Sequence, residues 1–278
     1  MPKRSSSVVG REFGNGVRKV IERTGLTQRR LAELLGWQEA KISDLLAGKG
    51  GCTETEVREL LAYCRAPVAE REHLLALFRE SGKVWLQIPA DGVPDQVRTL
   101  IEHEKEANEI ICWSMILVPG LLQIHEYIEA VTAKAQTVSA DNRAATVAAR
   151  AARGKILEGS RKFTFYVHEQ ALWLPVGGLD VWRSQLVHLL QLSVRPYITI
   201  RIVPRSIGVH AGASGDFRLM RFPKYPSMVY VESLRCSLFF DDKETVDLYE
   251  NVLKDLATVA LDEAGSREVI NSILEGLQ

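Results

Sequence analysis

The sequence predicts a multidomain fold, with an N-terminal all-α domain followed by an α+β domain. The chain has 278 residues, which is more than the roughly 150 residues of an average domain. Short segments with helical hydrophobic periodicity fill the first 80 residues, whereas strand-like segments occur only further along. A stretch with Gly and Pro separates the two parts. We therefore predict a first domain at 1–80, a linker at 81–93 and a second domain at 94–278.

The individual elements follow from periodicity and from boundary residues. In the first domain we predict four or five helices at about 11–23, 27–35, 38–47, 53–64 and 68–80. In the second domain we predict helices near 94–110, 120–135, 140–158, 179–193, 243–262 and 266–277. The predicted strands are KFTFYVHE, YITIRIVP, FRLMRF, MVYVE and CSLFF. Helices mixed with strands in this way predict an α+β domain.

The charge of the chain is zero overall but is unevenly distributed. The sequence has 35 Lys and Arg residues against 35 Asp and Glu residues, a balance that by itself argues against an electrostatic nucleic-acid binder. The first 50 residues, however, contain ten basic and five acidic residues, for a net charge of +5. The remaining chain therefore carries −5. A basic N-terminal part is compatible with nucleic-acid binding.

The segment 27–48, TQRRLAELLGWQEAKISDLLAG, has the spacing of two short crossing helices. Thr27 can accept a backbone N–H bond as an N-cap, and Gly36 can adopt the left-handed conformation that ends a helix. The small side chain of Ala32 lets a second helix approach closely. The apolar faces are predicted to consist of Leu31, Leu34, Leu35, Ile42, Leu45 and Leu46. A helix, a tight glycine turn and a second crossing helix make up a helix-turn-helix unit.

The region 11–64 resembles the lambda-repressor-like, or Cro/C1-type (XRE), helix-turn-helix family. The residues that carry the resemblance are GLTQRRLAELLGWQEAKIS, in which Ala32, Gly36 and Ile42 fall at the spacing of the family. The resemblance implies a DNA-binding domain whose partner is double-stranded DNA. The alternative is an ordinary helical hairpin without a role in DNA binding.

The resemblance also implies which residues contact DNA. The second helix, at about 38–46, would lie in the major groove. Gln38 can bond adenine, Lys41 can reach guanine or a phosphate, and Ser43 is short enough for either. The further candidates around these positions are Thr27, Gln28, Arg29, Arg30, Glu39 and Lys49. Of these, Gln28 would bond a phosphate at the start of its helix. Each candidate has an alternative as a solvated surface residue.

The sequence departs from the usual form of this family at two acidic positions. Asp44 stands where relatives often have a phosphate-binding arginine, and Glu39 is a second acid near the groove. Both carboxylates would repel phosphates, although Glu39 could accept a hydrogen bond from cytosine. We therefore expect weaker affinity for DNA or an altered operator.

The region from about 94 to 278 resembles the C-terminal domain of unknown function found in many actinobacterial regulators. Matching segments include EKEANEI at 104–110, VPGLLQIHEYI at 118–128, ARAARGKIL at 149–157 and ITIRIVPRSIGVHAG at 198–212. Because this region has no catalytic motif, we expect a domain for dimerisation and for sensing a small-molecule effector or a partner protein. The resemblance implies that a small acidic protein encoded nearby could be that partner. Independently of the resemblance, the turn at Gly120 could hold an anion. The alternative is a packed structural turn.

The sequence contains no recognised catalytic or metal-binding motif. The stretch that begins at His125 has Glu129 where an HExxH zinc helix needs its second histidine, and GxSxG, Walker and GxGxxG motifs are absent. His168 with Glu169, and likewise His103 between two glutamates, are predicted to be surface or strand-end residues, and His210 lies in a Gly-rich loop. We expect no enzyme activity, cofactor or metal.

The remaining sequence features concern location. The four cysteines have no zinc spacing and are predicted to be free buried thiols. No apolar stretch is long enough to cross a membrane, and the N-terminus does not resemble a signal peptide. We predict a cytoplasmic homodimeric transcriptional regulator. The alternatives are an antitoxin-like protein-interaction module and a DNA-binding head fused to an unrecognised enzyme.

Overall fold

The computed structural model describes residues 8–80, 85–87, 95–159, 161–234 and 236–277. The chain divides into two compact units near residue 85. The predicted linker at 81–93 lies outside the described residues, except for the short strand Trp85–Gln87 (β1). The predicted fold class, an all-α part followed by an α+β part, is confirmed.

Residues 8–80 of the first unit form five helices joined by turns and short loops. Its helices are α1 (Val8–Thr24), α2 (Gln28–Leu35), α3 (Glu39–Leu46), α4 (Glu54–Tyr63) and α5 (Val68–Glu80). All five helices lie where the periodicity predicts them. The first helix begins earlier than predicted, at Val8, because its first turn is also apolar and contributes the buried Val9.

Local signals set the limits of α2 as predicted. The Thr27 hydroxyl accepts a hydrogen bond from the backbone N–H of Arg30 at 3.2 Å, and Gly36 ends the helix in the left-handed region at a φ of 67°. Leu31, together with the apolar side chains of α3, is fully buried. One part of the predicted apolar face is wrong, because Leu34 is 39% exposed.

Close packing of α1 against α3 depends on a glycine. A Cβ atom on Gly14 would overlap the backbone carbonyl oxygen of Leu46 in α3. Gly16 lies two residues further along α1. A Cβ atom at this position would meet only the end of the flexible Leu74 side chain. The same methyl group therefore has different consequences at two positions of one helix.

Replacement of Gly14 by alanine is expected to destabilise the first unit by about 1–3 kcal/mol, because α1 and α3 must move apart. This loss outweighs the gain of about 1 kcal/mol in helix propensity. Gly16→Ala is the matched control and should cost less, since Leu74 can change rotamer. Hydrogen exchange in α1 and α3 of the full chain measures the difference. Equal protection in the two variants would contradict the argument.

The second unit is built on a mixed β-sheet. Its strands are β2 (Glu109–Ser114), β3 (Lys162–His168), β4 (Ile198–Val203), β5 (Phe217–Arg221), β6 (Met228–Glu232) and β7 (Ser237–Phe240). The order across the sheet is β7-β6-β5-β2-β3-β4, with β1 next to β7. Strands β2, β3 and β4 are parallel, whereas β5 is antiparallel to both β2 and β6. Strand β2 is therefore the point at which the direction of the sheet changes.

Seven helices accompany the sheet in the described part of the second unit. They are α6 (Asp95–Glu106), α7 (His125–Lys134), α8 (Arg143–Arg153), α9 (Glu169–Trp173), α10 (Leu179–Ser193), α11 (Lys243–Val259) and α12 (Glu263–Glu275). Helices α10 and α12 pack on β4. Short 3-10 turns supplement them, including one at Gly120–Leu122. Among the described residues, no helix is long and apolar enough to cross a membrane.

Several element boundaries in the second unit differ from the prediction. The helix predicted at 94–110 ends at Glu106, because β2 begins at Glu109. The helix predicted from 120 begins only at His125, after the 3-10 turn. Strand β2 is absent from the predicted strands because five of its six residues are buried, so that it lacks the alternation that identifies a half-exposed strand.

The four cysteines are free thiols, as predicted. Three of them are buried, and Cys236 is half-buried.

Candidate nucleic-acid interface

Most of the exposed residues of α3 and its N-cap are polar, and they lie between the N-cap and the fifth residue of the helix. Gln38 is the N-cap residue and Ser43 lies in the fifth position of the helix, and both are exposed. Neither side chain makes a hydrogen bond to another described residue. The opposite face, consisting of Ile42, Leu45 and Leu46, is buried against the rest of the unit. The helix thus has a fixed apolar side and, at Gln38 and Ser43, polar side chains that are not engaged, as base readout in a groove requires.

Lys41, predicted to reach guanine or a phosphate, is held within the protein. Its ammonium lies 2.5 Å from Glu56 Oε1 in α4 and 4.7 Å from the ring centroid of Trp37. Glu56 in turn accepts from the backbone N–H of Thr53 as part of a capping box. The hydrogen bonds from Lys41 and from Thr53 lower the pKa of Glu56. Lys41 therefore ties α3 to α4 in this structure.

Replacement of Glu56 by glutamine is expected to release Lys41 and strengthen DNA binding. The amide oxygen can still accept from Thr53, so the cap is retained. If the freed ammonium contacts a phosphate, the slope of log affinity against log salt becomes steeper by about 0.9. Titrations of a duplex at several salt concentrations measure this slope.

The matched control for this experiment is Glu59→Gln. Glu59 is exposed on the same helix and has no ion pair within the described part of the chain, so its replacement removes the same charge without releasing Lys41. An equal slope for the two variants would show that Lys41 does not contact DNA.

The two arginines near the start of α2 share one carboxylate. Arg29 Nε lies 3.4 Å from Glu33 Oε1 and Arg30 Nη1 lies 2.9 Å from Glu33 Oε2. All three side chains are about half exposed or more, so these pairs are weak and water competes for them. The arginines can therefore exchange Glu33 for a phosphate at little cost.

The other predicted contact residues lie around the two helices. Gln28 is half-buried, whereas Glu39 and Lys49 are exposed. None of these three side chains bonds to another described residue. Thr27 is exposed, and its hydroxyl is used in the helix cap. Asp44, which replaces the usual arginine, is half-buried and has interactions within the protein.

The structure adds residues that the sequence reasoning did not identify. Glu33 and Glu56 neutralise cations that the sequence presents as free, and Trp37 covers Lys41. The structural role of Glu56 in a helix cap could have been predicted from the sequence, because Thr53 and Glu56 have the T-x-x-E spacing of a capping box. The pairing of that glutamate with Lys41 could not, because it depends on how α4 packs.

In the second unit, Glu104 in α6 forms a buried ionic cluster. Its carboxylate accepts two bonds from Arg153 of α8, at 2.8 and 3.0 Å, and one from Nη1 of Arg218 on β5. Glu104 is fully buried and Arg153 is 8% exposed. The prediction of a surface location for this segment is wrong, since His103 is also buried. Periodicity places both on the inner face of α6.

The charge state of Glu104 follows from its surroundings. Burial by itself raises the pKa of its carboxyl, but the facing guanidiniums of Arg153 and Arg218 outweigh this effect and lower the pKa overall. The carboxylate is therefore ionised at neutral pH and connects α6, α8 and β5.

Comparison with protein-family models gives two matches. Residues 12–74 match a helix-turn-helix domain, and residues 97–272 match the Domain of unknown function (DUF5753). The second match covers more than half of the chain. The chain belongs to the DUF5753 family. Comparison with curated proteins finds no match, and comparison with solved structures finds none either.

The first match assigns a DNA-binding fold to the N-terminal unit. It covers α2 and α3 together with the helices that support them. The chain thus combines a helix-turn-helix domain, which supports a role as a DNA-binding regulator, with a DUF5753 domain.

In the DUF5753 domain, His168 and His210 come together although they are distant in sequence. Their rings stack with centroids 5.7 Å apart, and both contact the edge of Trp113. Each Nδ1 accepts a backbone N–H, from Gln170 and from Gly212. Burial and the neighbouring His210 lower the pKa of His168. Both imidazoles therefore act as caps of local turns.

Glu169 is equally engaged in local structure. It accepts hydrogen bonds from the indole N–H of Trp173 and from the backbone N–H of Arg205. Among the described residues, no group of three or more His, Cys, Asp or Glu side chains has the arrangement of a metal site.

Proposed function

We propose that the protein is a sequence-specific transcriptional regulator of the Cro/C1-type (XRE) class, and that α3 is its recognition helix. The observation that carries this proposal is the exposed, unengaged pair Gln38 and Ser43 on a helix whose other face is buried. Gln38 can donate to and accept from adenine, and Ser43 can bond to several base edges. Gln28, Arg29, Arg30 and Lys49 contribute phosphate contacts around them, which set register and affinity.

The DUF5753 domain would support this activity by dimerisation and by sensing a small-molecule effector or a partner protein. A single recognition helix reads only a few base pairs, and two half-sites about one helical turn apart multiply that specificity. A homodimer acting on a roughly palindromic operator is therefore expected. The resemblance to actinobacterial regulators supports a small acidic partner protein. We further propose a cytoplasmic protein without catalytic activity, cofactor or metal, since the sequence carries no motif for these.

An antitoxin-like protein-interaction module is the second candidate. The observation in its favour is that Lys41, Arg29 and Arg30 are all paired with glutamates, while Glu39 and Asp44 add negative charge near the presumed groove. Such a surface suits a protein partner better than phosphates. An enzyme attached to a DNA-binding head is a third reading, for which the locally engaged His168, Glu169 and His210 offer little support.

Selection of binding sites from random duplex DNA by the purified full chain tests the proposal. We expect enrichment of a motif with two related half-sites centred about 10 base pairs apart. Failure to enrich any motif, with co-purification of a small protein through the helix-turn-helix domain, would favour the interaction module instead.

A further inference from the structure

The DUF5753 domain contains a cavity of about 270 Å³ whose walls combine arginines with apolar side chains. Arg150 and Arg153, three residues apart on one face of α8, line it together with Arg218 of β5. Its apolar wall includes Leu100, Leu117, Val118, Val131 and Phe217. An apolar cavity of about 150 Å³ can hold benzene. This cavity therefore has room for a ring or a short chain together with a charged group.

The guanidiniums that line this cavity are not fully compensated. Arg153 is more than nine-tenths buried and donates to Glu104 through Nε and Nη2. The Nη1 atom of Arg153 lies close to Gly120, at 3.7 Å from the position that a Cβ atom on this glycine would occupy. It has no hydrogen-bond acceptor among the described residues. This donor of a largely buried guanidinium is therefore available to an acceptor on a ligand.

The cluster of Glu104, Arg153 and Arg218 contains more positive than negative charges. Arg153 and Arg218 share the single carboxylate of Glu104, while Arg218 Nε donates to the Cys112 sulfur. The raised pKa of Cys112, due to burial, keeps that thiol neutral. Within the cluster alone, two guanidiniums face one carboxylate, which leaves one net positive charge, while Asp216 and Glu232 add two carboxylates to the cavity lining. Arg150 adds another positive charge, and it forms no ion pair with any described residue.

We propose that this cavity binds a small organic carboxylate with an apolar body. Guanidinium forks match the planar geometry of a carboxylate, and the apolar wall would cover the remainder of the ligand. Asp216 and Glu232 also line the cavity. Their negative charges disfavour ligands that carry two negative charges, such as the dianion of inorganic phosphate.

A small organic carboxylate would be the effector in the sensing role proposed above. The existence of the binding site does not depend on that role, but its use in regulation rests on the proposed function. The test of this site is carried out without DNA. A protein that binds the ligand but selects no DNA motif would contradict the proposed function alone, and the reverse result would contradict the carboxylate site alone.

Isothermal titration of the full chain provides this test. The probes are benzoate, phenylacetate and hexanoate, each compared with its neutral primary amide, and inorganic phosphate. We expect at least one carboxylate to bind with a Kd below about 1 mM, and its amide to bind at least tenfold more weakly. Binding of none of the three carboxylates, equal binding of the amides, or tighter binding of phosphate would overturn the proposal.

A matched pair of variants locates the site. Arg150→Gln removes a guanidinium from the cavity without touching the Glu104 cluster, and should weaken carboxylate binding by about tenfold or more. Arg143→Gln removes the same charge from an exposed position on the same helix and should bind like the wild type. Thermal unfolding of both variants establishes that they are folded. Wild-type affinity in Arg150→Gln would overturn the site.

Discussion

Replacement of Glu104 by glutamine is expected to lower the free energy of unfolding of the DUF5753 domain by about 3–5 kcal/mol. Glutamine has nearly the same volume, so the loss does not come from packing. It arises because Arg153 and Arg218 keep their charges in a buried position after their shared counter-charge is gone. Glu104 itself is fully buried, so the variant places an uncharged amide inside the protein where the two guanidiniums otherwise face a carboxylate.

Urea unfolding of the full chain, followed by hydrogen exchange in α6, α8 and β5, measures this effect. The control is Glu268→Gln, which removes an exposed charge on α12 and should change stability by less than about 0.5 kcal/mol. Similar stability of the two variants would contradict the assignment of Glu104 as the counter-charge of the cluster.

The pH dependence of stability should have the same origin. Because the folded state lowers the pKa of Glu104, its stabilising contribution is complete above the ordinary carboxyl pKa. This contribution is lost as the pH falls from the ordinary carboxyl pKa through the lowered pKa of Glu104 in the folded state. In Glu104→Gln this part of the acid sensitivity should be missing.

Replacement of Gln38 by alanine is expected to reduce affinity for a selected operator by about 1–3 kcal/mol. The side chain is exposed at the start of α3 and unengaged among the described residues, so its removal should not affect folding. Affinity for unrelated duplexes should remain the same, because these are bound through phosphates.

Anisotropy titrations with operator and with shuffled duplex measure the two affinities. Gln191→Ala, an exposed glutamine on α10 of the DUF5753 domain, is the matched control and should leave both unchanged. Equal losses on both duplexes would show that Gln38 contributes no base readout.

Local signals explain why the helix-turn-helix could be predicted from sequence. The cap at Thr27 and the left-handed Gly36 act within a few residues, so that the ends of α2 follow from the sequence alone. The buried face of α3 follows in the same way from the spacing of Ile42 and the two leucines after it.

Contacts between distant segments explain what could not be predicted. Lys41 meets Glu56 across 15 residues, and Glu104 meets Arg153 across 49 residues and Arg218 across 114. Periodicity places Glu104 on the inner face of α6, but nothing in the sequence indicates that two distant arginines face it there. Burial of β2 on both faces removed the alternation that would have identified the strand at the centre of this packing.

Parallel site selections with the wild-type chain and with Gln38→Ala test the role of α3 most directly. Both proteins should enrich a motif with two half-sites, and the variant should lose preference at one position in each half-site while the others persist. Enrichment of the same motif to the same degree by both proteins, or of no motif by the wild type, would contradict the assignment of α3 as the recognition helix.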